Sequence, residues 1–145
     1  MARTSDFAQH LVFYTKRRWF GYEVALAVQL STAADILLKA NRHAAAESLL
    51  REALRIPAPS DDWRTCALQS MLGAALTGQA RYAEAEAHLR EGYDGMAERA
   101  DANIRPLPQD LRAAAQRLVE FYTTTHRPDE LAKWQAVAND SRQVE

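Results

Sequence analysis

The segment "RHAAAESLLREAL", which begins at Arg42, returns as "RYAEAEAHLREGY", which begins at Arg81. Arg42 corresponds to Arg81, Ala46 to Ala85, Glu47 to Glu86, Leu50 to Leu89 and Ala53 to Gly92, each pair 39 residues apart. The preceding segment "EVALAVQLSTAADILLKA" matches its counterpart through Leu37 and Leu76. A more divergent third copy, "LRAAAQRLVEFYTTTHRPDELAKWQAV", lies 46 residues beyond the second, behind a longer loop around "ADANIRPLPQD". Repeats of this period belong to chains built from stacked helix pairs. One pair cannot bury its apolar face alone, whereas neighbouring pairs bury a continuous core.

The spacing of apolar residues makes each half of a copy helical. Trp63, Ala67, Leu68, Met71, Leu72, Ala75 and Leu76 recur at three- and four-residue steps, as do Tyr82, Ala85, Leu89, Gly92, Tyr93 and Met96. Ser60 or Asp61 after Pro59 supplies an expected N-cap, and Gly78 an expected end. Only "TGQAR" separates these stripes, so the two helices must lie antiparallel and adjacent. Gly73, Ala85 and Gly92 are then the points where the two backbones approach. In the third copy Leu111, Ala115, Leu118 and Tyr122 share one helix face. Leu131, Trp134 and Val137 or Ala138 share the next, with Pro128 in its first turn. The reading is a single all-α domain over residues 1–145. It is an antiparallel helical-hairpin array with hairpins at 22–57, 60–99 and 107–140, preceded by an N-terminal capping helix at 1–21.

Composition narrows the function. The 145 residues carry a net charge of -1, and the tight basic cluster is Lys16-Arg17-Arg18, so a nucleic-acid partner is not expected. The N-terminus places its basic residues after its apolar stretch, the wrong order for a secretion signal. No run of about 20 apolar residues is evident, so no membrane span is expected. One cysteine, Cys66, cannot make an internal disulfide, which is compatible with a reducing, cytoplasmic setting.

Catalytic or metal chemistry finds no footing. His10, His43, His88 and His126 never take the close helical spacing of a metal motif. Cys66 reads as a small buried hydrophobe, and Glu84, Glu86 and Glu91 as an ion-pairing helix flank, with Glu86 four residues before Arg90. The expectation is a non-enzyme with no cofactor and no metal.

The middle copy resembles a tetratricopeptide repeat. Leu72-Gly73, Leu76, Ala85, Leu89 and Gly92 fill that family's pattern, while Gln69 takes its tryptophan slot and Ala97 its closing proline slot. A narrower set is similar to the helical-repeat segments that follow bacterial serine/threonine kinase domains. It comprises Trp63-Arg64, Ser70 to Gly73, Gly78-Gln79, Tyr82-Ala83, Ala85-Glu86, Gly92-Tyr93 and Gly95-Met96, with the ending "RLVEFYTTTHRPDELAKW". The kinase motifs are absent from the sequence. That resemblance implies a bacterial docking or scaffold protein, either detached from a larger chain or a fragment of one.

The resemblance also implies where a partner sits. In the family the first helix of each pair lines a concave face. By position these are Ser31, Asp35 and Lys39 in copy one, Ser70, Ala74 and Thr77 in copy two, and Gln116, Glu120, Thr123 and Thr124 in copy three. The family's cationic clamp for a C-terminal carboxylate has no counterpart at these positions, so a peptide with small or basic side chains is the expected ligand. A second surface is the aromatic N-terminus, with Phe13, Trp19 and Phe20. It is expected to cap the first hairpin, or alternatively to drive self-association into a homo-oligomer.

Overall fold

The structure is a computed structural model that describes residues 2–58, 62–102 and 105–140, with side chains described from Gly21 onward. Among the described residues there are six helices and no strand. They are α1 (Ala2–Lys39), α2 (His43–Arg55), α3 (Trp63–Gly78), α4 (Tyr82–Glu98), α5 (Pro108–Thr124) and α6 (Pro128–Asp140).

Three of the connections are copies of one turn. Asn41, Ala80 and His126 take left-handed backbone angles, with φ of 58°, 59° and 54°. The next residue is an arginine each time. Arg42, Arg81 and Arg127 donate their backbone N–H to the carbonyls of Leu37, Leu76 and Tyr122, at 2.8, 3.0 and 3.1 Å. This is a Schellman closure, which satisfies carbonyls that a helix end leaves open. The three turns stand at the 39- and 46-residue offsets that relate the sequence copies. Gly78 is the last residue of α3, but the left-handed position belongs to Ala80. What Gly78 provides is space: a Cβ there would lie 2.2 Å from the His43 ring.

Packing of α3 against α4 depends on small residues. A Cβ on Gly73 would fall 2.5 Å from Leu89 Cγ and 3.0 Å from the Ala85 carbonyl oxygen. On Gly92 it would fall 2.7 Å from both the Cys66 carbonyl oxygen and the Ser70 nitrogen. Ala85, opposite Gly73, is fully buried. Around this contact Leu50, Leu72, Leu76, Leu89, Leu118, Phe121 and Tyr122 form a continuous core. Each such side chain contributes about 2 kcal/mol by leaving water. Helices α1, α3 and α5 adjoin one another in a row, and α2 and α4 bridge successive pairs.

A repeated ion-pair network ties the outer helices together. Arg51 bonds Glu47 at 2.8 Å within α2 and Glu84 of α4 at 2.9 Å, while Arg81 returns to Glu47 at 2.9 Å. One copy further on, Arg90 pairs with Glu86 at 3.5 Å and Glu130 of α6 at 2.8 Å, while Arg127 returns to Glu86 at 2.8 Å. The Tyr122 hydroxyl joins the second network, donating to Glu86 and accepting from Arg90. Of the carboxylates read from sequence as an ion-pairing flank, Glu84 and Glu86 thus also link one helix pair to the next.

Three expectations are corrected. The chain does not break at Gly21, and α1 runs through it for 38 residues. Glycine costs a helix only about 1 kcal/mol, and here no proline adds to it. The N-cap of α3 is Asp62, whose side chain accepts from the Arg64 N–H at 3.0 Å. Ser60 and Asp61 lie outside the described residues. Finally, residues 21–39 are long and apolar enough to cross a bilayer by length and composition. Interspersed polar residues hide this stretch from a search for an unbroken apolar run. Its C-terminal part nevertheless packs into the core through Ala34, Leu37 and Leu38.

Candidate binding cavity

The expected groove residues are spread along the first helices of the pairs. On α1, Asp35 pairs with Lys39 at 2.7 Å, and Lys39 is exposed. On α3, Ala74 and Thr77 are half-buried, and the Thr77 hydroxyl donates to the Gly73 carbonyl. On α5, Gln116, Glu120, Thr123 and Thr124 are exposed. The two threonine hydroxyls there donate to the Val119 and Glu120 carbonyls.

Ser70 is the correction. It is completely buried, so it presents nothing to a partner. The α3–α4 contact accounts for this, because Gly92 closes directly on Ser70. Its hydroxyl accepts a hydrogen bond from Arg117 Nη1 at 3.2 Å.

A cavity of about 680 Å³ opens beside these positions, between α1, the C-terminal end of α2, α3 and α5. Of the expected residues only Ser31 lines it. Val24 and Val28 come from α1, Leu54 and Ile56 from the end of α2, and Trp63, Leu68 and Gln69 from α3. Asp110, Ala113 and Arg117 come from α5. On α5 the lining face therefore lies beside the face chosen from sequence. Ala113 and Arg117 point into the cavity, while Gln116 and Glu120 do not line it.

Arg117 is the distinctive group. Burial pulls its guanidinium below the ordinary arginine value, and Asp35, Glu120 and Asp110 offset this only from a distance. Among the described residues its hydrogen-bond partner is the neutral Ser70 hydroxyl. Of the acidic groups that line the cavity, Glu23 of α1 stands half-buried at its wall, while Asp62 and Asp110 have other partners. Asp62 holds the α3 N-terminus and pairs with Arg64 at 2.9 Å. Asp110 accepts from the Leu107 N–H at 2.8 Å.

Cys66 also borders the cavity, and burial pushes its thiol up, away from thiolate reactivity. No group of three or more His, Cys, Asp or Glu side chains among the described residues is placed to hold a metal ion. Phe13, Trp19 and Phe20 lie in the part of α1 whose side chains are not described. The neighbouring stretch is described, and it leaves large apolar side chains in water: Tyr22 is 79% exposed, Ile36 63% and Leu26 45%.

No protein-family model matches the chain, and neither does any curated protein or solved structure.

Proposed function

We propose that this chain is a tetratricopeptide-like α-solenoid of three hairpins. In this reading it works as a non-catalytic scaffold in a bacterial cytoplasm, binding a protein or peptide along the row α1, α3 and α5. The observation that carries the reading is the row itself, on which Thr77, Gln116 and Glu120 stand half-buried or exposed, framed by helix pairs that share one turn and one ion-pair network. A rigid preformed surface leaves the ordering cost to the ligand. Thr77 and Glu120 sit along the row without belonging to the core. Thr77→Phe and Glu120→Trp should leave folding intact and weaken capture of the natural partner in a pull-down read by mass spectrometry. Undiminished capture by both variants refutes the groove.

A second reading rests on the exposed face of α1. At 1.5 Å per residue this helix is about 57 Å long, whereas its hairpin partner α2 has 13 residues. Tyr22, Leu26 and Ile36 are therefore available to a second copy of the chain, giving a homodimer. Light scattering on the wild type and on Tyr22→Ser, Leu26→Ser decides it, because a monomer in both cases discards the dimer.

A further inference from the structure

We propose that the cavity between α1, α3 and α5 receives a carboxylate carried on an apolar body, with Arg117 as the group that binds it. The volume, about 680 Å³, is within the range that takes small ligands. The walls are largely apolar, built by Val24, Val28, Leu54, Trp63 and Leu68. Arg55, Arg64, Glu23, Asp62 and Asp110 also border it, and the cation that α5 sends in, Arg117, has as its hydrogen-bond partner among the described residues the neutral Ser70 hydroxyl. A guanidinium has five N–H donors in a planar fork that matches the two oxygens of a carboxylate. Most of that donor capacity remains after the bond to Ser70.

Among the described residues no carboxylate forms an ion pair with Arg117. Asp35 is paired with Lys39, and Asp110 with the Leu107 N–H. Glu120 is exposed on the adjoining face of α5. Desolvation of Arg117 is a cost already present in the folded chain. An incoming anion recovers part of it, which a neutral ligand of the same shape does less well. The expectation of a peptide with small or basic side chains is thereby reversed for this part of the surface. The inference goes beyond the docking reading, because the cavity can act on a small acid without any protein partner.

The carboxylate can come from a free acid or from a peptide C-terminus. The test therefore uses two pairs of probes on the full chain: octanoate with octanamide, and N-acetyl-trileucine as free acid with its C-terminal amide. Trp63 lines the cavity, so tryptophan fluorescence reports binding, and calorimetry checks it. At least one acid should bind tenfold or more tightly than its amide, and the pair that does so identifies the source. Arg117→Gln should abolish the preference, and Arg117→Lys should retain part of it. Ala113→Phe should block both members of each pair by filling the space. The proposal is overturned if neither acid binds, if acid and amide bind alike, or if Arg117→Gln keeps the preference. Should circular dichroism show Arg117→Gln unfolded, binding that survives Ala113→Phe overturns it instead. None of these failures touches the docking reading, which stands on partner capture by the Thr77 and Glu120 variants.

Discussion

Gly92→Ala tests the close approach of α3 and α4. The added methyl would meet the Cys66 carbonyl oxygen and the Ser70 nitrogen at 2.7 Å, and Ser70 Cβ at 2.9 Å. Two of these three are backbone atoms inside a helix, which no rotamer change can move aside. The helices must separate, or α4 must shift along α3. Overpacking of this kind costs about 1–3 kcal/mol, and rigid neighbours place it near the top of that range. Alanine returns about 1 kcal/mol through its better helix propensity. The net expectation is a loss of about 2 kcal/mol. Gly21→Ala is the internal control, because Gly21 is also helical but has nothing within 4 Å of an added Cβ. It should keep or raise stability, by up to about 1 kcal/mol. Urea unfolding followed by circular dichroism gives both numbers, and equal m-values keep the comparison sound. If Gly92→Ala is as stable as Gly21→Ala, small-residue contact between these helices is not what holds the pair together.

Two further outcomes follow from the turns and the ion pairs. Ala80 holds a left-handed conformation that costs a non-glycine residue about 1 kcal/mol, so Ala80→Gly should raise the urea midpoint, and a lower midpoint contradicts the turn. Hydrogen bonding from Gln79, opposed by burial and reinforced by Arg51 and Arg81, holds the Glu47 carboxyl below its ordinary 4.5. A carboxylate depressed in the folded state adds stability that is full above its unfolded value and lost as pH falls through the folded one. Glu47→Gln should therefore cost about 1 kcal/mol at neutral pH, a figure reduced for solvent screening, and flatten the decline in stability below 4.5. An unchanged acid limb removes Glu47 from the network.

The existence of α3 to α6 and several of their ends were readable because local chemistry and the apolar stripe agree there, although α3 is capped at Asp62 and its closing turn falls at Ala80. Pro108 and Pro128 open α5 and α6, and Gly78 closes α3. The join at Gly21 was misread for the opposite reason. A lone glycine is a weak signal, and α1 leaves Tyr22, Leu26, Val28 and Ile36 exposed, which blurs its apolar stripe. The two networks were half visible. The step from Glu86 to Arg90 is local, but Arg51 to Glu84 and Arg90 to Glu130 need the knowledge that successive outer helices come within side-chain reach. The repeat offsets carry that knowledge: Arg81 and Glu84 correspond to Arg127 and Glu130. After the second and third of the repeated turns, Arg81 and Arg127 reach back to Glu47 and Glu86 on the preceding outer helix.

The cavity was the least readable part, and Arg117 shows why. Positions carried over from a helix-repeat pattern assume that each first helix turns the same face inward. In the third copy the offset changes from 39 to 46 residues, and α5 presents Ala113 and Arg117 to the cavity. The sequence does hold a trace of this. Gln116 and Arg117 interrupt the apolar run from Ala113 to Val119, where Ala114, Ala115 and Leu118 are buried, so a cation stands beside core positions on an inner helix. That trace places a cation beside the open volume, the physical condition for selecting an anion over its neutral analogue.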